Sequence, residues 1–169
     1  CYGNENRNRD LSDRCRKTNL VMEDDKMNFE LIRVETEELQ QYKADMQAAF
    51  QKGFETLDDN YDLIVKLDAD LIFPPNYFET VIKHFQSDDR IGMAGGFCYI
   101  EKNGDWVLKN LTDKDHIRGA LKAYRKEAFK QMGGLKPQMG WDTVDELLCK
   151  FYNWKVVTDE SLHVKHLKP

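Results

Sequence analysis

Asp68-Ala-Asp70 sets two carboxylates two residues apart, directly after the apolar run Leu63-Ile-Val-Lys-Leu67. In an open α/β sheet the carboxyl end of a strand is where ligands bind. Two carboxylates in one turn can face one cavity. Their oxygens suit a hard divalent cation such as Mg2+ or Mn2+, which commonly bridges substrate phosphates and stabilises charge on a departing diphosphate. The same pair also fits a solvated turn, where aspartate is common. A second group is Gly140-Trp-Asp-Thr-Val-Asp-Glu146, at the predicted start of a helix. A carboxylate there sits near the positive end of the helix dipole, which favours its ionised form. A general base needs that form within reach of a hydroxyl. Asp142 fits such a base, and it equally fits a simple N-cap with Asp145 as its acidic partner three residues on.

Two further segments carry weaker signals. His163 and His166 lie near the C-terminus, where a tail could fold back and offer imidazole to a metal, or simply decorate the surface. Arg118 and Gly119 lie in Asp115-His-Ile-Arg-Gly-Ala-Leu-Lys-Ala-Tyr-Arg125, which is either an ordinary edge strand or a place where backbone approaches a phosphate or sugar. Trp106, Trp141 and Trp154 can stack on sugar faces or pack in a core.

The elements that must position these residues are read from hydrophobic period and turn chemistry. Strands are expected at 29–35, 62–67, 91–99 and 154–158 of one mixed sheet. Helices are expected at 37–57, 76–86 and 142–153, and a shorter one at 125–132 stopping at Gly133-Gly134. The run 61–67 reads as a buried strand, and Asn103-Gly104 marks a hairpin. Residues 1–28 read as loop-rich, with a short helix over Asp10–Lys17. Strands alternating with helices indicate α/β, and the late hairpin makes the sheet mixed.

At 169 residues the chain fits one domain, 1–169. Its net charge of −5 argues against nucleic acid and against a basic membrane-binding face. No apolar run approaches the roughly 20 residues of a spanning helix. The four cysteines lack metal-ligand spacing and read as reduced thiols.

Taken in order, several segments resemble family 2 glycosyltransferases of the GT-A fold, closest to a bacterial polysaccharide-biosynthesis type. They are Tyr61-Asp-Leu-Ile-Val-Lys-Leu-Asp-Ala-Asp70, Phe73-Pro-Pro-Asn-Tyr-Phe78, Gly92-Met-Ala-Gly-Gly96, His116-Ile-Arg-Gly-Ala-Leu-Lys-Ala-Tyr-Arg125, Gly133-Gly-Leu135, Gly140-Trp-Asp-Thr-Val-Asp-Glu146 and His166-Leu-Lys-Pro169. The resemblance implies a GT-A-like α/β mixed sheet flanked by helices, N-terminally incomplete because the family's first strand and nucleotide-binding segment have no match here. It implies an inverting, metal-dependent transferase that moves sugar from a nucleotide-diphospho sugar to a glycan, lipid-linked or other hydroxyl acceptor in surface polysaccharide biosynthesis. It implies a cytoplasmic protein, with peripheral contact at the inner face of the membrane as an option. Oligomeric state is left open.

By the same resemblance Asp70 and His166 would bind the divalent cation, Asp68 would contact the ribose or the metal, and Arg118 and Gly119 would meet the donor. Asp142 would be the base, with Asp145 and Glu146 as alternatives because Trp141 stands where many members have Glu. Leu167-Lys168 replaces the more usual His-Arg. Two other readings stand beside this one: a nucleotidyltransferase, and a non-catalytic glycan- or nucleotide-binding domain of the same fold.

Overall fold

The computed structural model describes the backbone of Cys15–Val21 and Asn28–Val34, and residues 49–109, 115–136 and 140–167. The chain divides into two compact units, Cys1–Leu57 and Asp58–Pro169.

In the first unit, β1 (Cys15–Val21) pairs antiparallel with β2 (Asn28–Val34), Cys15 opposite Val34 and Val21 opposite Asn28. The strand expected at 29–35 therefore forms, but as half of a two-stranded sheet of its own instead of a member of the main sheet. Residues 15–17 are strand where a short helix over 10–17 was expected. A lone short helix is marginal in water, whereas pairing with β2 satisfies backbone groups along seven residues. Of the helix expected at 37–57, residues 37–48 lie outside the described residues and 49–54 are helical. It stops after Phe54 in a turn closed by Thr56 Oγ1 donating to the Gly53 carbonyl at 2.7 Å. Phe50 and Phe54 stack, one helical turn apart, with ring centroids separated by 6.3 Å.

The second unit is a mixed α/β structure with an open sheet flanked by helices. Its elements are β3 (Leu63–Leu67), β4 (Leu71–Ile72), α1 (Tyr77–Ser87), β5 (Ile91–Lys102), β6 (Asp105–Leu108), β7 (Leu121–Arg125), α2 (Lys126–Met132), α3 (Trp141–Phe151) and β8 (Lys155–His166). The sheet order is β3-β7-β5-β8-β4, with β6 paired to β5 across the Asn103-Gly104 hairpin. Only the β5–β8 pair is parallel. Tyr77, Val81 and Phe85 recur every four residues and give α1 its buried stripe. Among the described residues no helix is long and apolar enough to cross a membrane.

Two strands differ from expectation. Among the described residues β3 ends the sheet order, with Ile64 and Lys66 turned inward and Val65 and Leu67 exposed, so it is not a strand buried on both faces. The strand expected at 154–158 continues to His166. Its pairing with β5 jumps from Gly96–Asp159 to Phe97–His163, so Glu160, Ser161 and Leu162 are left out of the ladder between two paired stretches, the first of which carries a smaller shift between Ile91 and Met93. Gly96 has no room for a side chain there, because a Cβ would collide with the Leu162 carbonyl.

Cys98 and Cys149 are free and fully enclosed. Burial pushes both thiols up, Cys149 to about 12. Thiolate is the reactive form, so alkylation mapped by peptide mass spectrometry should leave both unmodified in native protein and label both in urea. Fast native labelling of either would show that the core opens readily.

Candidate functional site

Because β3, β5 and β8 all run the same way, their carboxyl ends share one edge of the sheet. The turn before β7 lies there too: the Asp68 N–H donates to the Ala120 carbonyl at 2.9 Å. After the turn at Asp68–Asp70, Leu71-Ile72 pairs with the end of β8, Leu71 opposite His166. The Leu167 N–H closes this ladder on the Asp70 carbonyl at 2.8 Å. Backbone pairing thus brings together groups 96 residues apart in sequence, and His166 Nε2 stands 3.2 Å from Asp70 Oδ2.

One ligand atom each from Asp68, Asp70 and His166 lies within 4.8 Å of the others. Both aspartates are half-exposed. His166 is only 7% exposed, and its Nδ1 is buried with no hydrogen-bond partner. Leaving such an atom unpaired is costly. Two carboxylates and an imidazole that turns its Nε2 toward Asp70 form a donor set suited to a divalent cation. His166 reaches this place as a residue of β8, not as a tail folded back. His163 does not join it. Successive residues of a strand face opposite sides, so His163, three residues before His166, lies on the other face, where its Nε2 is 3.2 Å from the Tyr99 phenol oxygen.

Asp142 approaches the same edge from α3. The cap of that helix is Gly140, in the left-handed region at φ 75°, and no side chain caps it. Asp142 is therefore a first-turn residue with a side chain 29% exposed, and the N-cap reading is corrected. Asp145 is not its capping partner either. It is 1% exposed and takes the Lys122 ammonium at 2.7 Å and the Tyr124 hydroxyl at 2.5 Å. Glu146 Oε1 accepts the Ile117 N–H at 2.9 Å and Lys122 Nζ at 3.1 Å. Both of these carboxylates are tied up inside the protein, which leaves Asp142 as the carboxylate of this helix turn that can meet a ligand. Desolvation raises the Asp145 carboxyl above its ordinary range although Lys122 and Tyr124 pull it down. Tyr124 is raised further, by burial and by Asp145.

Lys66 and Trp141 connect the two groups. The buried Lys66 ammonium bonds Asp68 Oδ1 and lies 5.3 Å from the centre of the Trp141 ring. A Cβ on Gly119 would meet that ring at 2.8 Å and the Asp142 Cβ at 3.0 Å. The close approach at Gly119 is therefore made by Trp141 and Asp142. Arg118, next to it, is half-buried with an Nε that has no partner. Trp154 bonds Gln131 through Nε1 at 2.8 Å, and Trp106 lies under Lys165.

Sequence reasoning missed Lys66, Lys122, Tyr124 and His116. One signal was available: Lys122 and Tyr124, two residues apart, share one face of β7, and a buried acid pair such as Asp145-Glu146 needs partners. No protein-family model matches the chain, and no curated protein matches it.

Proposed function

We propose that this chain is the metal-binding and acceptor-side portion of an inverting glycosyltransferase of the GT-A type, similar to family 2. It would move a sugar from a nucleotide-diphospho sugar to a hydroxyl of a glycan or lipid-linked acceptor. The observation that carries this reading is the convergence of Asp68, Asp70 and His166 within 4.8 Å at the carboxyl edge of the sheet. A divalent cation held by these three would neutralise charge on the donor diphosphate. Arg118, with its unpartnered Nε, offers a further donor to the same anion. Asp142 takes the proton of the acceptor hydroxyl as that oxygen bonds to the anomeric carbon. The bond from that carbon to the diphosphate breaks, its electron pair leaving with the phosphate oxygen. Trp141 beside Asp142 gives the sugar a flat apolar surface.

One observation favours a second reading, a non-catalytic domain of the same fold: the Lys66 ammonium already neutralises Asp68. Tryptophan fluorescence titration with several nucleotide sugars, with and without Mn2+, separates the two. The transferase reading expects binding that Mn2+ strengthens. It also expects Asp70→Ala to weaken Mn2+ binding by about tenfold or more, since one of three ligands is lost. Stability should fall by about 1–3 kcal/mol without loss of the fold, since the variant strips the buried His166 Nε2 of its Asp70 partner. An Asp70→Ala chain that unfolds would make the residue structural and remove the main support for the metal site.

A further inference from the structure

His116 stands between two carboxylates of α3. Its Nδ1 lies 3.2 Å from Glu146 Oε1 and its Nε2 lies 3.8 Å from Asp142 Oδ2. Asp142 and Glu146 are four residues apart, so they occupy one face of the helix. The two ends of this arrangement differ in freedom. Glu146 is fixed, since the same Oε1 also takes the Ile117 N–H and Lys122. Asp142 is partly exposed in the first turn of α3, and its side chain caps nothing. A carboxylate in that position samples several rotamers unless a neighbour selects one.

We propose that His116 is a positioning residue for Asp142. A carboxylate only accepts, so both contacts need the imidazolium: Nδ1–H faces Glu146 Oε1, Nε2–H faces Asp142 Oδ2, and Oδ1 is left to the acceptor hydroxyl. The inference rests on the transferase reading and deepens it. The 3.8 Å separation exceeds a hydrogen bond. Contacts of this kind are commonly long in an empty site and tighten when substrate orders it. The anchoring has a sequence basis. His116 is adjacent to Ile117, whose N–H is bonded to the same Glu146 oxygen, so backbone and ring are held at one point.

The test has one arm that needs no activity. In two-bond 1H–15N spectra of the full chain, with His116 assigned by its loss in His116→Gln, Asp142→Asn should move the Nε2 resonance and leave Nδ1 nearly in place. Glu146→Gln should move Nδ1. An Nε2 resonance indifferent to Asp142→Asn overturns the proposal. The second arm is kinetic. Asn places its amide near the Nδ1 position and Gln near the Nε2 position. His116→Asn should lower kcat by about 10²-fold, the scale of a small misplacement of a reacting group, with donor KM unchanged. His116→Gln should recover about tenfold of that loss. Equal losses in both variants with donor KM rising would mark a merely structural residue and also overturn the proposal. Absence of nucleotide-sugar turnover in the full-length wild-type protein sinks the transferase reading, and the spectra then decide the His116–Asp142 contact by themselves.

Discussion

Replacing Asp142 with Asn should lower kcat by about 10²–10⁴-fold while leaving donor affinity near its wild-type value, the expected loss for a general base that acts on the acceptor. The structure sharpens this expectation by removing the competing explanation. A cap residue would tolerate the change, since Asn caps about as well as Asp. But the cap of α3 is Gly140, and the Asp142 side chain bonds no backbone N–H of the helix end. Stability should fall only by the lost attraction between a carboxylate and the helix N-terminus, about 0.3–1 kcal/mol. Turnover and donor Kd measured on the same protein separate the contributions. Full activity in the Asn variant would take Asp142 out of the mechanism. Asp145 could not easily replace it, being 1% exposed and held by Lys122 and Tyr124.

Lys122→Met should destabilise the protein by about 3–5 kcal/mol, because removing one member of a buried ionic group strands the others without compensation. Lys122 is wholly enclosed, and its ammonium serves three acceptors: Asp145 Oδ1, Glu146 Oε1 and the Asp142 carbonyl. Urea unfolding would read the loss as a lower midpoint at nearly constant slope. Adding Asp145→Asn and Glu146→Gln to Lys122→Met should restore part of the stability, since neutral groups are cheaper to bury than unpaired charges. A single variant as stable as the wild type would show that the network is wetter than its geometry suggests. The same substitution should also depress turnover, because Lys122 ties the first turn of α3, and with it Asp142, to β7.

How much of this was legible follows from where each signal is encoded. The helix at Tyr77–Ser87 and the strands before and after it are local patterns, readable from apolar spacing and turn residues. Which strand pairs with which is not local. The pattern at 29–35 announces a strand but not that Cys15–Val21 is its partner. β8 runs past the expected 154–158 because pairing with β5 resumes at His163 after Glu160–Leu162, a long-range register that apolar alternation does not encode. Asp68, Asp70 and His166 could be listed together only through the order of family-like segments. Their meeting depends on a two-residue ladder at Leu71-Ile72 that no propensity would assign. The lysines were missed because Lys in a strand usually marks the solvent face. Here Lys66 and Lys122 point inward toward carboxylates supplied by other elements, Asp68 after the strand and Asp145 and Glu146 on α3.

The insertion in β8 also changes what holds the histidine in place. Lys155–Asp159 take their register from the first half of β5, and His163–His166 take theirs from Phe97–Ile100. The two halves are separate rulers read against one strand, with Glu160-Ser161-Leu162 as an unpaired insertion between them, pinned by Ser161 to the Asp159 carboxylate and by buried Leu162. Contour length from Lys155 to His166 is therefore not the quantity that places the imidazole beside Asp70. Its address is Ile100 on one side and Leu71 on the other. The exposed pair Glu160-Ser161 is consequently where chain length is decoupled from site geometry, while a single-residue slip in either ruler would turn its side chains to the opposite face of the sheet.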